Sequence, residues 1–151
     1  MIFLKNPLVD IKLLVPDWPV PEYKTSGSAG VDLRANIPES VLLKPGDRKT
    51  IGTGIAVHLA DPGLVGFVFP RSGLGTRGLI LANSVGVIDS DYTGEIRLAM
   101  INAGEEPIEI RHGDRVAQLV VVNTVQVRFM PQESLERTTR GSNGFGSTGR
   151  H

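Results

Sequence analysis

Two aspartates separated by one residue, Asp89 and Asp91, sit in the run LANSVGVIDSDYTGEIRL from Leu81 to Leu98, with Tyr92 directly after them. In an extended chain residues two apart share a face, so the two carboxylates could hold a metal or move a proton, while Ser90 and Tyr92 point the other way, where Tyr92 could simply be core. An Asx-capped polar turn explains the same residues with no ligand at all. Apolar runs on both sides of Thr93-Gly94 predict a β-hairpin with the acidic residues near its tip.

Other groups suit an anion. Arg71-Ser72-Gly73 combines a fixed cation, a hydroxyl and the start of a short helix whose free N–H groups converge, which makes a phosphate cradle or, equally, an ordinary turn capped by Ser72. Gln118 lies among valines and leucines, so its amide must satisfy the backbone or reach a ligand or an interface. Asp32 shares a strand face with Arg34 and reads either as a site carboxylate or as a surface aspartate opposing that arginine. The tail from Arg140 to Gly149 offers a guanidinium, hydroxyls, glycines able to form an anion nest, and Phe145, which could stack on a base; a tail without fixed structure is the other reading. It is not a P-loop, because no Gly-Lys-Ser/Thr and no helix follow. His58, His112 and His151 lack metal-ligand spacing, and no nucleophile elbow accompanies them. If the chain hydrolyses anything, water is the expected nucleophile.

Short strands must position these groups. Candidates are 9–15, 31–35, 41–43, 49–59 with a Gly-Thr-Gly interruption, 64–69, 96–101, 107–110, 115–122 and 125–130, separated by Pro- and Gly-containing turns. Pro16 to Pro21 reads as an extended connection. One short helix after Pro70 is the only helix expected in the body. About ten strands with tight turns predict an all-β fold, a jelly-roll-like barrel or sandwich. The expected organisation is a β-barrel domain over residues 1–130 and a flexible C-terminal arm over 131–151, where the only large apolar residues are Leu135 and Phe145. The strand from Val116 to Val125 has almost no charge, as expected of one buried on both faces, for instance at a subunit interface.

Bulk properties bound the function. A chain of 151 residues fits one domain with a sizeable core. Sixteen basic and sixteen acidic residues cancel, which argues against a general binder of nucleic acid or of an anionic membrane. With no cysteine there can be no disulfide and no thiolate metal site. The first residues do not form a secretory leader, and no run approaches ~20 apolar residues, so a cytoplasmic protein is expected.

Five segments occur together and in order: AGVDLRA, PRSGLG, NSVGVIDSDYTGEI, RVAQL and RGSNGFGSTG. This set resembles the five motifs of the trimeric dUTP pyrophosphatases, over Pro21 to Gly149. The resemblance implies a homotrimer of jelly-roll subunits with shared active sites that cleaves dUTP to dUMP and pyrophosphate with magnesium, keeping uracil out of DNA and supplying dUMP for thymidylate synthesis. Carried over by position, Asp89 is the base that activates water for attack on the α-phosphorus. Asp32 supports the water shell of magnesium or the hydrogen-bond network, the metal itself being held mainly by substrate phosphates. Asn83 and the backbone near Arg97 read the uracil edge, and Tyr92 packs under the deoxyribose and excludes a 2′-hydroxyl. Arg71, Ser72 and Gly73 hold the α- and β-phosphates, and Gln118 another part of the triphosphate. Arg140, Gly146, Ser147 and Thr148 meet the far end of the substrate while Phe145 caps the base. Two other readings fit less of the pattern: a dCTP deaminase, possibly bifunctional, and a jelly-roll protein that binds a nucleotide without catalysis.

Overall fold

The structure, a computed structural model, describes residues 6–142. The order of elements is β1 (Asp10–Leu13), β2 (Val31–Arg34), β3 (Val41–Leu43), β4 (Arg48–His58), β5 (Leu64–Pro70), α1 (Ser72–Thr76), β6 (Leu79–Leu81), β7 (Gly86–Ile88), β8 (Glu95–Asn102), β9 (Ile108–Ile110) and β10 (Arg115–Asn123). One antiparallel sheet runs β1-β4-β8-β6, a second runs β2-β10-β5-β7, and β3 and β9 form a two-stranded ribbon. The all-β, jelly-roll-like expectation is met, and no helix among the described residues is long and apolar enough to cross a membrane.

Alternation builds the core. In β8 the inward Ile96, Leu98 and Met100 are buried while Arg97 between them is exposed. They meet Ile51 and Ile55 of β4 and, from the other sheet, Leu33, Val68, Val116 and Leu119. Asn102 is fully buried in this apolar setting, and its amide is satisfied: Nδ2 donates to the carbonyls of Leu43 at 2.9 Å and Glu106 at 2.8 Å, and Oδ1 accepts from Gly104 N.

The Gly-Thr-Gly interruption becomes an irregularity in the β4–β8 ladder between Gly52 and Ala56. Gly54 adopts φ +67, and a Cβ there would press on Val15 and Trp18. Trp18, from the proline-rich connection, in turn lies 5.2 Å from the ring of His112, tying that connection to the β9–β10 turn.

Three local expectations fail. Residues 125–130 form no strand: Val125, Val127, Phe129 and Met130 are exposed, and no strand of the described residues pairs with them. The alternating pattern is present but its partner is not. The hairpin predicted around Asp89 does not exist either, because β7 pairs with β5 and β8 with β4 and β6. Finally, Arg71 and not Ser72 occupies the N-cap of α1, with no side-chain cap.

Candidate active site

The central strand of the second sheet, β10, brings the first cluster together. Its register sets Gln118 opposite Asp32 of β2 on one side and Phe69 of β5 on the other. Arg71 and Ser72 follow directly on β5. The Asp32 carboxylate is shared: Oδ1 lies 2.8 Å from Arg71 Nε and Oδ2 lies 3.2 Å from Arg115 Nη1. Arg71 Nη1 also donates to the carbonyl of Arg115 at 3.4 Å. Gln118 Nε2 donates to the carbonyl of Pro70 at 3.0 Å, which orients its amide at the same strand end. The opposition of Asp32 to Arg34 is not found, since Arg34 donates instead to the carbonyl of Gly113 at 3.0 Å.

Two guanidiniums against one carboxylate leave an excess positive charge beside the exposed start of α1, where Ser72 and Gly73 also lie. Such a group suits a phosphate, because guanidinium forks match its oxygens. Arg115 belongs to this cluster although the sequence alone does not single it out. The signal in the sequence is that it opens the same RVAQL segment as Gln118; in the sheet it stands opposite Arg34, and its side chain reaches across to Asp32.

The second cluster surrounds a gap between strands. β6 and β8 pair through Leu81 and Met100, and one more bond runs from Ala82 N to Ala99 O at 2.7 Å. The chain then turns away. Ser84 has φ +66, Val85 N donates to Asn83 O at 2.8 Å, and β7 continues along β5. β8 meanwhile continues against β4, with Gly52 opposite Arg97. The outcome is a splayed pair in which Glu95–Leu98 has no strand partner on the β7 side among the described residues. Asn83 stands at the apex of the splay, across from the Arg97–Leu98 level of β8. Its Nδ2 reaches Val85 O only at 3.5 Å, leaving the amide free to meet a ligand.

Tyr92 and Asp89 close the open end. Tyr92 N donates to Asp89 O at 3.1 Å, which makes a turn, and Tyr92 OH donates to the carbonyl of Glu95 at 2.8 Å. Gly94 lies against the ring, where a Cβ would come within 2.6 Å of the phenol oxygen. Asp89 itself is exposed. Asp91 is also exposed and carries no side-chain partner in the turn.

The two clusters do not meet in one chain. The β5–β7 register sets Ile88 opposite Gly66, so Asp89 falls at the beginning of β5 and Arg71 beyond its end. With a rise of about 3.3 Å per residue, roughly 20 Å separate the two. Arg140 is exposed in the coil after β10, and Phe145, Gly146, Ser147 and Thr148 lie outside the described residues.

Among the described residues no three His, Cys, Asp or Glu side chains converge, and Asp32 is already neutralised by two arginines.

A family model described as dUTPase matches residues 16–149. The chain is 50% identical over 136 residues to a deoxyuridine 5′-triphosphate nucleotidohydrolase of Pseudomonas paraeruginosa, covering 89% of this chain and 90% of that one. It is also 50% identical over 147 residues to the protein of the same name from Nitrosospira multiformis, covering 95% and 98%. Among solved structures, the dUTPase of Staphylococcus bacteriophage 80alpha with dUpNHpp superposes with a TM-score of 0.83 at 27% identity, covering 94% of this chain and 98% of that one.

Proposed function

Because the chain belongs to the dUTPase family, we propose that it hydrolyses dUTP to dUMP and pyrophosphate, in sites shared between the subunits of a homotrimer. The observation that carries this reading is the splay of β7 from β8, with Asn83 at its apex and the Asp89–Tyr92 turn at its mouth. A planar base can enter edge-on and meet the backbone of β8 and the Asn83 amide, both of which offer the donors and acceptors that a pyrimidine edge needs. Uracil differs from cytosine in that edge and from thymine in lacking a methyl, so a close-walled splay selects it. The sugar then lies on the Tyr92 ring, which leaves little room for a 2′-hydroxyl, and the α-phosphate reaches toward Asp89.

In this reading Asp89 takes a proton from water as it attacks the α-phosphorus, and pyrophosphate leaves. Its exposure suits a group that must accept a proton from solvent-derived water. Arg71, Ser72, Gly73 and Gln118 hold the phosphates, with Asp32 and Arg115 fixing the Arg71 guanidinium. Magnesium, held mainly by the substrate phosphates, would offset the repulsion between triphosphate and carboxylate. Arg140, Phe145, Gly146, Ser147 and Thr148 belong to an arm that closes over the bound nucleotide.

A trimer is supported by two features. The distance between Asp89 and Arg71 supports a site completed by another copy. The outer face of the second sheet also carries Phe67, Phe69, Val120 and Val122, all only partly covered in the single chain. The product dUMP would feed thymidylate synthesis, and removal of dUTP would keep uracil out of DNA.

Incubation with dUTP, dCTP, dTTP and UTP tests the reaction. Pyrophosphate from dUTP alone, dependent on magnesium, is expected. Ammonia from dCTP would identify a deaminase instead, and tight nucleotide binding without turnover a binding protein. Asp89→Asn is expected to lower kcat by at least about 10²-fold, the usual size of a lost general base, while binding of dUpNHpp changes only a few-fold.

A further inference from the structure

β8 begins beside a break in its own ladder. Its pairing with β4 is regular where Arg48 to Gly52 face Ile101 to Arg97, and it then skips to Ala56 opposite Glu95. On the β7 side Glu95 has no strand partner among the described residues. Backbone pairing therefore holds this end of the strand on one side only, across an irregular stretch. Two side chains close the break. Thr53, which is buried, donates from Oγ1 to the carbonyl of Ile96 at 2.7 Å. The side chain of Glu95 runs back into the break, where its Oε1 accepts from Gly54 N at 2.9 Å.

The same residue carries the acceptor for Tyr92. The Tyr92 hydroxyl donates to the carbonyl of Glu95 at 2.8 Å, and the ring lies against Gly94 on the way. The ring is 42% exposed, so packing alone leaves it free to swing and the bond from its hydroxyl fixes its place. We propose that Glu95 is a positioning residue for Tyr92: its side chain, anchored on Gly54, fixes the peptide on which the phenol rests. The inference rests on the dUTPase reading above, in which the sugar lies on the Tyr92 ring. It goes beyond that reading by giving a role to a carboxylate and a strand break that do not touch the nucleotide.

The anchor is itself held. The carbonyl of Gly54 accepts from Leu14 N at 2.7 Å, and Val15 and Trp18 stand where a Cβ on Gly54 would be. A carboxylate on a backbone N–H makes a charge-assisted bond, roughly twice as strong as one between neutral groups. Gly52 supplies the space for it, since a Cβ there would collide with the Glu95 carboxylate. That carboxylate is the far end of a flexible side chain. A methyl at position 52 would therefore expel it from the break before it moved either strand.

Single substitutions separate this role from a merely structural one. The readout is the ratio of kcat/KM for dUTP to that for UTP, with the thermal midpoint measured beside it. Glu95→Ala removes the anchor, and Gly52→Ala displaces the carboxylate while leaving Glu95 in the chain. Both are expected to lower the ratio about tenfold, out of the roughly 10² with which a pocket rejects an added hydroxyl by shape alone. Glu95→Gln keeps an oxygen for Gly54 N and should retain most of the ratio. Thr53→Val loosens the same break through Ile96, so it should lower the midpoint and leave the ratio unchanged. An unchanged ratio in either alanine variant overturns the inference. So does a loss in Glu95→Gln or Thr53→Val as large as that in Glu95→Ala. Should Glu95→Ala fail to fold, Gly52→Ala decides. Failure of the unmodified protein to cleave dUTP would instead overturn the reading on which the inference rests, and the inference with it.

Discussion

Asp89 and Arg71 stand at opposite ends of β5, roughly 20 Å apart along the sheet. No nucleotide can have its α-phosphorus beside Asp89 and its phosphates on Arg71 within one subunit. It follows that Asp89→Asn and Arg71→Ala chains, each inactive as homo-oligomers, should regain activity when denatured together and refolded. Statistical mixing restores sites that draw Asp89 from one copy and Arg71 from another. Assay of the refolded mixture against each variant refolded alone checks this, and a mixture as inactive as its components would count against shared sites.

Arg115 is expected to matter without being a general base. It holds the second oxygen of Asp32 while Arg71 holds the first. Arg115→Gln should leave Asp32 to Arg71 alone and let that guanidinium drift, lowering kcat/KM for dUTP by about ten- to a hundredfold, the range of a small misplacement. Because the pair is partly exposed, its contribution to stability is modest, about 1 kcal/mol or less. Kinetics beside a urea unfolding curve separates the two effects.

Chelation should stop turnover without loosening the fold. In the proposed reading the ion acts as part of the substrate complex, held mainly by the phosphates. EDTA should abolish pyrophosphate release and leave the thermal midpoint unchanged. A fall of several degrees on chelation would point to a resident structural ion.

The pH response of one surface pair is also fixed in sign. Arg111 donates to Glu109 Oε2 from Nη2 at 2.7 Å and from Nε at 3.0 Å, and this hydrogen bonding, with the accompanying charge attraction, holds the Glu109 carboxyl below its ordinary value. A lowered folded value means that any stabilisation is present above the unfolded pKa and is lost as pH falls through the folded one. NMR titration of Glu109 should show a midpoint below that of a free glutamate, returning toward it in Arg111→Gln.

Much of the scaffold was legible because its causes are local. The Gly-Thr-Gly break in 49–59 marked the irregularity in β4, and the glycine- and proline-rich turns bounded nearly every strand within a residue or two. The phosphate cluster was legible by residue type but not by partner. Asp32 faces Arg115, 83 positions away, and nothing near Asp32 announces that pairing over the nearer Arg34. The hairpin at Asp89 was misread for a related reason. Its turn residues are sound hairpin residues, but β7 pairs with β5, and the chain leaves β8 through a turn in which Ser84 has a positive φ. Residues 125–130 show the reverse case: the alternation is real, and the strand it needs is not among the described ones.

The outer face of the second sheet carries a last consequence. Phe67, Phe69, Val120 and Val122 lie on a surface that water wets in the single chain. If copies cover it for one another, stability and catalysis become matters of mass action. Dilution would then dismantle the sites before it unfolds the subunits, and specific activity would depend on how much of the protein is present.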